Sequence, residues 1–148
     1  MIKRANPDQS SKESIAAVLA LNDYVEDCGL EIGLLELIKT RASQINGCAY
    51  CIDMHAREAR AHGETEQRLY LLSAWEESGL FTAREMAALA WTEAVTLVHE
   101  CQVPDALYNK TLEQFSAEEL VKLTVAIGLI NTWNRIAISF RYAVPASK

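Results

Sequence analysis

The sequence predicts an all-α protein, and three observations carry that prediction. Proline occurs only at positions 7, 104 and 145, so the long stretches between are free of the strongest helix breaker. No segment alternates convincingly with period two, as a half-buried strand would. Three boxes of the type Ser/Thr-x-x-Glu, at Ser10/Glu13, Thr82/Glu85 and Ser116/Glu119, stand ahead of periodic apolar runs.

Taken in order, the elements are seven. A first helix over 12–28 shows Ile15, Val18, Leu19, Asn22 and Val25 on one face and stops at Gly29. A second over 31–43 is apolar on most sides, which implies burial against several neighbours. Asn46-Gly47 then breaks the chain between two helical patterns, so it marks a helix boundary and not a hairpin. A third helix runs from Cys48 to about 61, with Asn46 or Gly47 at its cap and Gly63 beyond its end. A fourth covers 66–77, behind Thr65 and ahead of Gly79. The Thr82 box opens a fifth, reaching about 100 and carrying Met86, Leu89, Ala90, Val95 and Leu97. Pro104 punctuates it, a short helix follows over 105–114, and the Ser116 box opens the last, to about 140. The architecture expected is a bundle of six or seven helices with a CxxC at a helix N-terminus. It forms one domain over 1–148, with a core over 30–140 and frayed tails at 1–9 and 143–148.

Composition excludes several classes. A net charge of −6 without a Lys/Arg block argues against a nucleic-acid footprint. No apolar run approaches the ~18 residues a membrane span requires. The first residues are basic but lack the apolar stretch of a secretory signal, so a cytoplasmic location is expected.

Four cysteines in such a chain need a reason. Cys28 and Cys101 stand alone and read as small buried or helix-end apolar residues. Cys48 and Cys51 form a CxxC, which in a cytosolic protein means redox or metal chemistry. On a helix Cys51 lies about 60° back from Cys48 and His55 about 20° back, so the three share one stripe. Cys48 sits where unpaired N–H groups and the helix dipole favour a thiolate. His55 is ~6 Å along the axis from Cys51 but ~10.5 Å from Cys48. That makes His55 the natural base for Cys51, and Cys48 the thiol placed to resolve what Cys51 becomes. The spacing predicts a reversible Cys48–Cys51 disulfide without Cys28 or Cys101. Structural zinc wants four ligands, and two Cys plus one His supply three, so no metal is expected. Glu36, among Ile32, Leu34, Leu35, Leu37 and Ile38, lies either on a narrow solvent strip or buried with a partner. If buried, His55 and an intervening water are its expected partners in a proton relay.

Glu36, Cys48, Cys51 and His55 together give Glu-x11-Cys-x2-Cys-x3-His. This pattern resembles the alkylhydroperoxidase AhpD core within the carboxymuconolactone decarboxylase-like superfamily. Ile45-Asn46-Gly47-Cys48-Ala49-Tyr50-Cys51, Phe81-Thr82-Ala83-Arg84-Glu85 and Ile130-Asn131-Thr132-Trp133-Asn134-Arg135-Ile136 resemble family phrases too, and the likeness covers about 30–140. The resemblance implies an all-α fold, trimers or hexamers, and reduction of organic hydroperoxides at the expense of a lipoyl- or thioredoxin-like dithiol. No cofactor is implied. Residue by residue, Cys51 is similar to the peroxide-attacking thiolate, Cys48 to the resolving thiol, His55 to the base and Glu36 to the relay carboxylate. One departure is Tyr50, where the well-studied AhpD enzymes carry histidine. A phenol does not exchange protons at neutral pH as an imidazole does.

Two other functional classes stay open: a thiol–disulfide adaptor without peroxidase activity, and a decarboxylase-like or purely structural protein that uses the cysteines little. Trp133 and Arg135 read as packing and subunit-contact residues, Tyr24, Tyr70, Trp75 and Trp91 as core or interface, and His62 and His99 as helix-end cations.

Overall fold

The computed structural model describes residues 2–146, and all regular structure among them is helical. The helices are α1 (Pro7–Ser10), α2 (Lys12–Glu26), α3 (Ile32–Asn46), α4 (Ala49–Ala61), α5 (Glu66–Tyr70), α6 (Trp75–Ser78), α7 (Ala83–Thr96), α8 (Val98–Cys101), α9 (Asp105–Leu112) and α10 (Ala117–Phe140), with a 3-10 turn over Leu72–Ala74.

The predicted helices are present, but two are interrupted. The expected 66–77 helix is α5, the 3-10 turn and α6 in succession, a path that seats Leu72 and Trp75 against Leu37, Phe81 and Leu89. The expected 82–100 helix breaks at Leu97, whose φ of −101° and ψ of 32° leave the helical region, and α8 continues from there. At the first of these, tertiary packing overrides a continuous helical pattern. The first helix is preceded by Ser11, not Ser10, and Ser11 makes no side-chain cap; its hydroxyl meets that of Ser14 at 2.7 Å. The other two boxes form as read: Thr82 with Glu85 and Ser116 with Glu119 each satisfy two backbone donors reciprocally.

Residues 2–6 of the N-terminal segment are exposed and irregular, and α1 follows them. Asn6 caps α1, Pro7 at its start is buried, and the Arg4 guanidinium hydrogen-bonds the Ser139 carbonyl at the end of α10. Met1 and the last two residues of the expected C-terminal tail lie outside the described residues.

α3 is the hub. It packs against α4, α7 and α10, which is why its sequence is apolar on most sides. Val25, Leu34, Leu35, Ile38, Ala88, Leu123, Ala126 and Ile127 form the main core between α2, α3, α7 and α10. No helix of the described residues is long and apolar enough to cross a membrane.

The turn from α3 into α4 positions the cysteines. Gly47 ends α3 at φ 70°, ψ 32°, a left-handed conformation that a β-carbon disfavours. The following Cys48 N–H then reaches back to the Ser43 carbonyl at 3.0 Å, closing the helix end and orienting the start of α4. A polar cluster locks this turn to α10. Asn46 Nδ2 donates to Asn131 Oδ1 (3.0 Å) and Asn134 Oδ1 (2.8 Å), and Asn134 Nδ2 donates to Ser43 Oγ (2.9 Å). Asn134 is fully buried, so its amide depends on these bonds.

Candidate active site

Cys48 is the N-cap of α4 and not its first helical residue; its Sγ accepts the Cys51 N–H at 3.4 Å. Cys51 lies one turn on, with 5.4 Å between the two Cα atoms, and the pair is joined as a disulfide. Both sulfurs rest in an apolar nest with Ala42, Ile130 and Ala137, flanked by Tyr50, Trp133 and Tyr142. Cys28, buried, and Cys101, exposed at the end of α8, are free thiols.

Glu36 resolves to the buried alternative: it is 2 % exposed. Its Oε2 lies 2.8 Å from His55 Nδ1, a direct contact that leaves no place for the intervening water expected from sequence. Its other oxygen, Oε1, accepts from Lys39 Nζ at 2.9 Å. His55 Nδ1 also lies 3.2 Å from Glu58 Oε2, at the half-exposed rim. Burial opposes ionisation of Glu36, but the hydrogen bond and charge of His55, with those of Lys39, outweigh it and hold the carboxyl below its usual range. Burial likewise opposes the imidazolium of His55, yet hydrogen bonds to Glu36 and Glu58 prevail and make it more basic than an ordinary histidine. With Nδ1 taken by carboxylates, Nε2 is the ring nitrogen left for exchange with a reacting group.

Lys39, His55 and Glu58 border a cavity of about 380 Å³, with Glu36 buried behind them. Tyr50, Cys51, Met54 and His55 of α4 form one wall, and Ile15, Leu19, Asn22 and Glu26 of α2, spaced along one helical face, form another. Asp8, Lys39, Glu58 and Trp133 complete it, with Ala137 and Tyr142 beyond. Cys51 borders this space; Cys48 does not. The volume falls in the range that takes a small organic ligand. The mostly apolar walls and the acid–base pair beside one cysteine of a disulfide can, together, bind an apolar molecule next to a thiolate. Tyr50, at the departure from the family pattern, packs edge-on against Tyr142 with ring centroids 5.3 Å apart.

Glu36, His55 and Glu58 bring possible metal-ligand atoms within 4.8 Å of one another. The Lys39 ammonium already neutralises Glu36 at 2.9 Å and would repel a second cation there, so the donor set fits an acid–base role better than a metal.

The structure thus brings together the four residues read from the sequence and adds three that the reading missed. Lys39 stood three residues after Glu36 on the same helix, a spacing that puts two ions side by side. Glu58 follows His55 at the same interval. Trp133, read as packing, faces the cavity.

A model of the carboxymuconolactone decarboxylase family matches residues 11–94, more than half of the chain and all of Glu36 to His55. The chain belongs to the carboxymuconolactone decarboxylase family. Within it, this member is AhpD-like, with the helical fold and the CxxC pair. It is 41 % identical over 139 residues to the uncharacterized protein YdfG of Bacillus subtilis strain 168, covering 94 % of this chain and 95 % of that one. A crystal structure of an Agrobacterium tumefaciens protein of unknown function, proposed to be the antioxidant defence protein AhpD, superposes with a TM-score of 0.95 at 49 % identity, over 99 % of this chain and all of that one. The debrominase Bmp8, solved with 2,3,4-tribromopyrrole, shares the fold at a TM-score of 0.80 and 15 % identity, over 93 % of this chain and 74 % of its own. This family fold therefore hosts more than one chemistry.

Proposed function

We propose that this family member is a CxxC-dependent thiol peroxidase that reduces organic hydroperoxides and is restored by a dithiol of the lipoyl or thioredoxin kind in the cytoplasm. The observation that carries the reading is the placement of Cys51: it alone of the pair borders the cavity, beside a histidine made more basic by a buried carboxylate.

In this reading His55 takes the Cys51 proton, and the thiolate attacks the terminal oxygen of the peroxide. The S–O bond forms as the O–O bond breaks, giving a Cys51 sulfenic acid and an alcohol. Cys48 then displaces water from Cys51 sulfur and forms the disulfide. The dithiol attacks Cys51 from the cavity, and Cys48, its charge favoured by the start of α4, leaves. Glu36 holds the imidazole in orientation and balances its charge throughout.

The thiol–disulfide adaptor reading uses the same cysteines without peroxide. A steady-state assay with several organic hydroperoxides, offering dihydrolipoamide and thioredoxin as alternative reductants, separates the two. Turnover dependent on both peroxide and dithiol supports the proposal. Rapid exchange with either dithiol, without peroxide consumption, overturns it in favour of the adaptor.

A further inference from the structure

Lys39 has no part in the steps above, yet its position is costly. It is 4 % exposed, and among the described residues its ammonium has one hydrogen-bond partner, Glu36 Oε1. An ammonium carries three N–H donors, so two lack a protein acceptor. The side chain borders the same cavity as Cys51 and His55. Neutralising Glu36 does not by itself account for it, because His55 already pairs with that carboxylate, and buried ion pairs are often no more stable than apolar replacements.

We propose that Lys39 is a catalytic residue that binds the leaving oxygen of the hydroperoxide through its spare N–H donors as the O–O bond breaks. The proposal rests on the peroxidase reading and adds a group to it. When Cys51 sulfur gives an electron pair to the terminal oxygen, the pair of the O–O bond departs with the alkoxide, and negative charge moves from sulfur to that oxygen. Sulfur is oxidised by two electrons and the peroxide reduced by two; the proton that His55 took from Cys51 ends on the alkoxide. His55 cannot serve both ends at once. Its Nδ1 is held by Glu36 and Glu58, leaving one N–H for either the thiolate or the leaving oxygen. Lys39 Nζ, anchored by Glu36, supplies a fixed donor where charge develops, in a cavity it shares with Cys51 and His55.

The test compares leaving groups. Reduced wild type, K39M and K39R are mixed in single-turnover experiments with tert-butyl hydroperoxide, which expels a strongly basic alkoxide, and with peracetic acid, which expels a weakly basic carboxylate. Iodoacetamide alkylation of Cys51, in which no oxyanion departs, reports on the thiolate alone. K39M is expected to lose ~100-fold on tert-butyl hydroperoxide, in keeping with loss of one oxyanion donor. Its losses on peracetic acid and in alkylation should be only a few-fold, and K39R should recover most of the difference. Equal losses in all three measurements would reduce Lys39 to a support for Glu36, and no loss in any would remove it from the step; either overturns the proposal. Wild type alone gives a check that needs no variant: a rate ratio between the two peroxides as steep as that of free cysteine also overturns it. Wild type that consumes neither peroxide refutes the peroxidase reading itself.

Discussion

Glu36 Oε2 lies 2.8 Å from His55 Nδ1, across nineteen residues of sequence and between two packed helices. The contact is buried on both sides, at 2 % and 5 % residue exposure, so neither group can exchange its partner for water. It couples the proton affinity of the group beside Cys51 to the packing of α3 on α4. Catalytic competence and stability at this site therefore depend on one pair.

That coupling sets a pH dependence. The Glu36 pKa is lowered from 4.5, so its contribution to stability is present above 4.5 and is lost as pH falls through the lowered value. The His55 pKa is raised from 6.5, so its contribution is complete below 6.5 and is lost as pH rises through the raised value. Both act fully between these ordinary values. The difference in urea midpoint between wild type and E36Q should be largest in that window and shrink on either side. A difference that stays flat with pH would show that the pair is not ionised in the folded state. Because E36Q also leaves Lys39 without its carboxylate, the loss inside that window is expected to reach about 3–5 kcal/mol.

Asn134 offers a second test, of the turn that aims the cysteines. It is fully buried, accepts from Asn46 and donates to Ser43. Asn134→Ala removes both bonds and leaves buried polar atoms with fewer partners, at a cost of about 1–3 kcal/mol. Chemical denaturation measures this. The rate of disulfide formation between Cys48 and Cys51 should fall as well, because Asn46 is one residue from the left-handed Gly47 that orients Cys48. Unchanged stability would mean that the amide cluster is incidental to the fold.

These residues also show what the sequence could and could not tell. The shared face of Cys51 and His55 was legible because helix geometry is local, whereas Cys48, expected as the first helical residue on the same stripe, caps α4 with an extended backbone and lies off the cavity. Glu36 was legible only as a pair of alternatives, since its burial depends on α4 lying against α3. Lys39 was missed because a lysine in an apolar helix ordinarily reaches for solvent, and here a carboxylate and a cavity keep it inside. The breaks at Leu72–Ala74 and Leu97 were hidden for a similar reason: their sequence is helical, and packing against Leu37 and Leu89 decides the path at the first of them. The Asn46–Asn134 contact joins two phrases that stood out in the sequence separately, but nothing local says they meet.

Apolar surface predicts assembly. Leu19 and Tyr24 on α2 and Val121, Ile138 and Phe140 on α10 are exposed, although these two helices pack together. Covering such side chains stabilises by about 25 cal/mol per Å². A homo-oligomer, a trimer or hexamer, is expected in solution, and light scattering at micromolar concentration tests it. A monomer mass would rule it out. Within an oligomer, Val121→Glu, which places a charge on the most exposed of these α10 positions, should shift the distribution toward smaller species without disturbing the buried core.

The division of labour between the two cysteines is the sharpest prediction. Cys51→Ser should abolish peroxide reduction, whereas Cys48→Ser should complete one turnover and stall at the sulfenic acid. Cys51 borders the cavity and shares α4 with His55, one turn away, so it has both substrate access and a base. Cys48 does not border the cavity, and its sulfur accepts the Cys51 N–H at the helix start. That hydrogen bond and the dipole lower the basicity of the Cys48 thiolate, which suits a leaving group when a dithiol attacks the disulfide at Cys51. Trapping with dimedone after one equivalent of hydroperoxide distinguishes the roles by mass. Label on Cys48→Ser and none on Cys51→Ser is the expected result. The opposite pattern would mean that the helix N-terminus selects the nucleophile and that His55 serves another step. Label on both would mean that either thiolate reaches peroxide, and that the burial of Cys48 does not persist once the disulfide is opened.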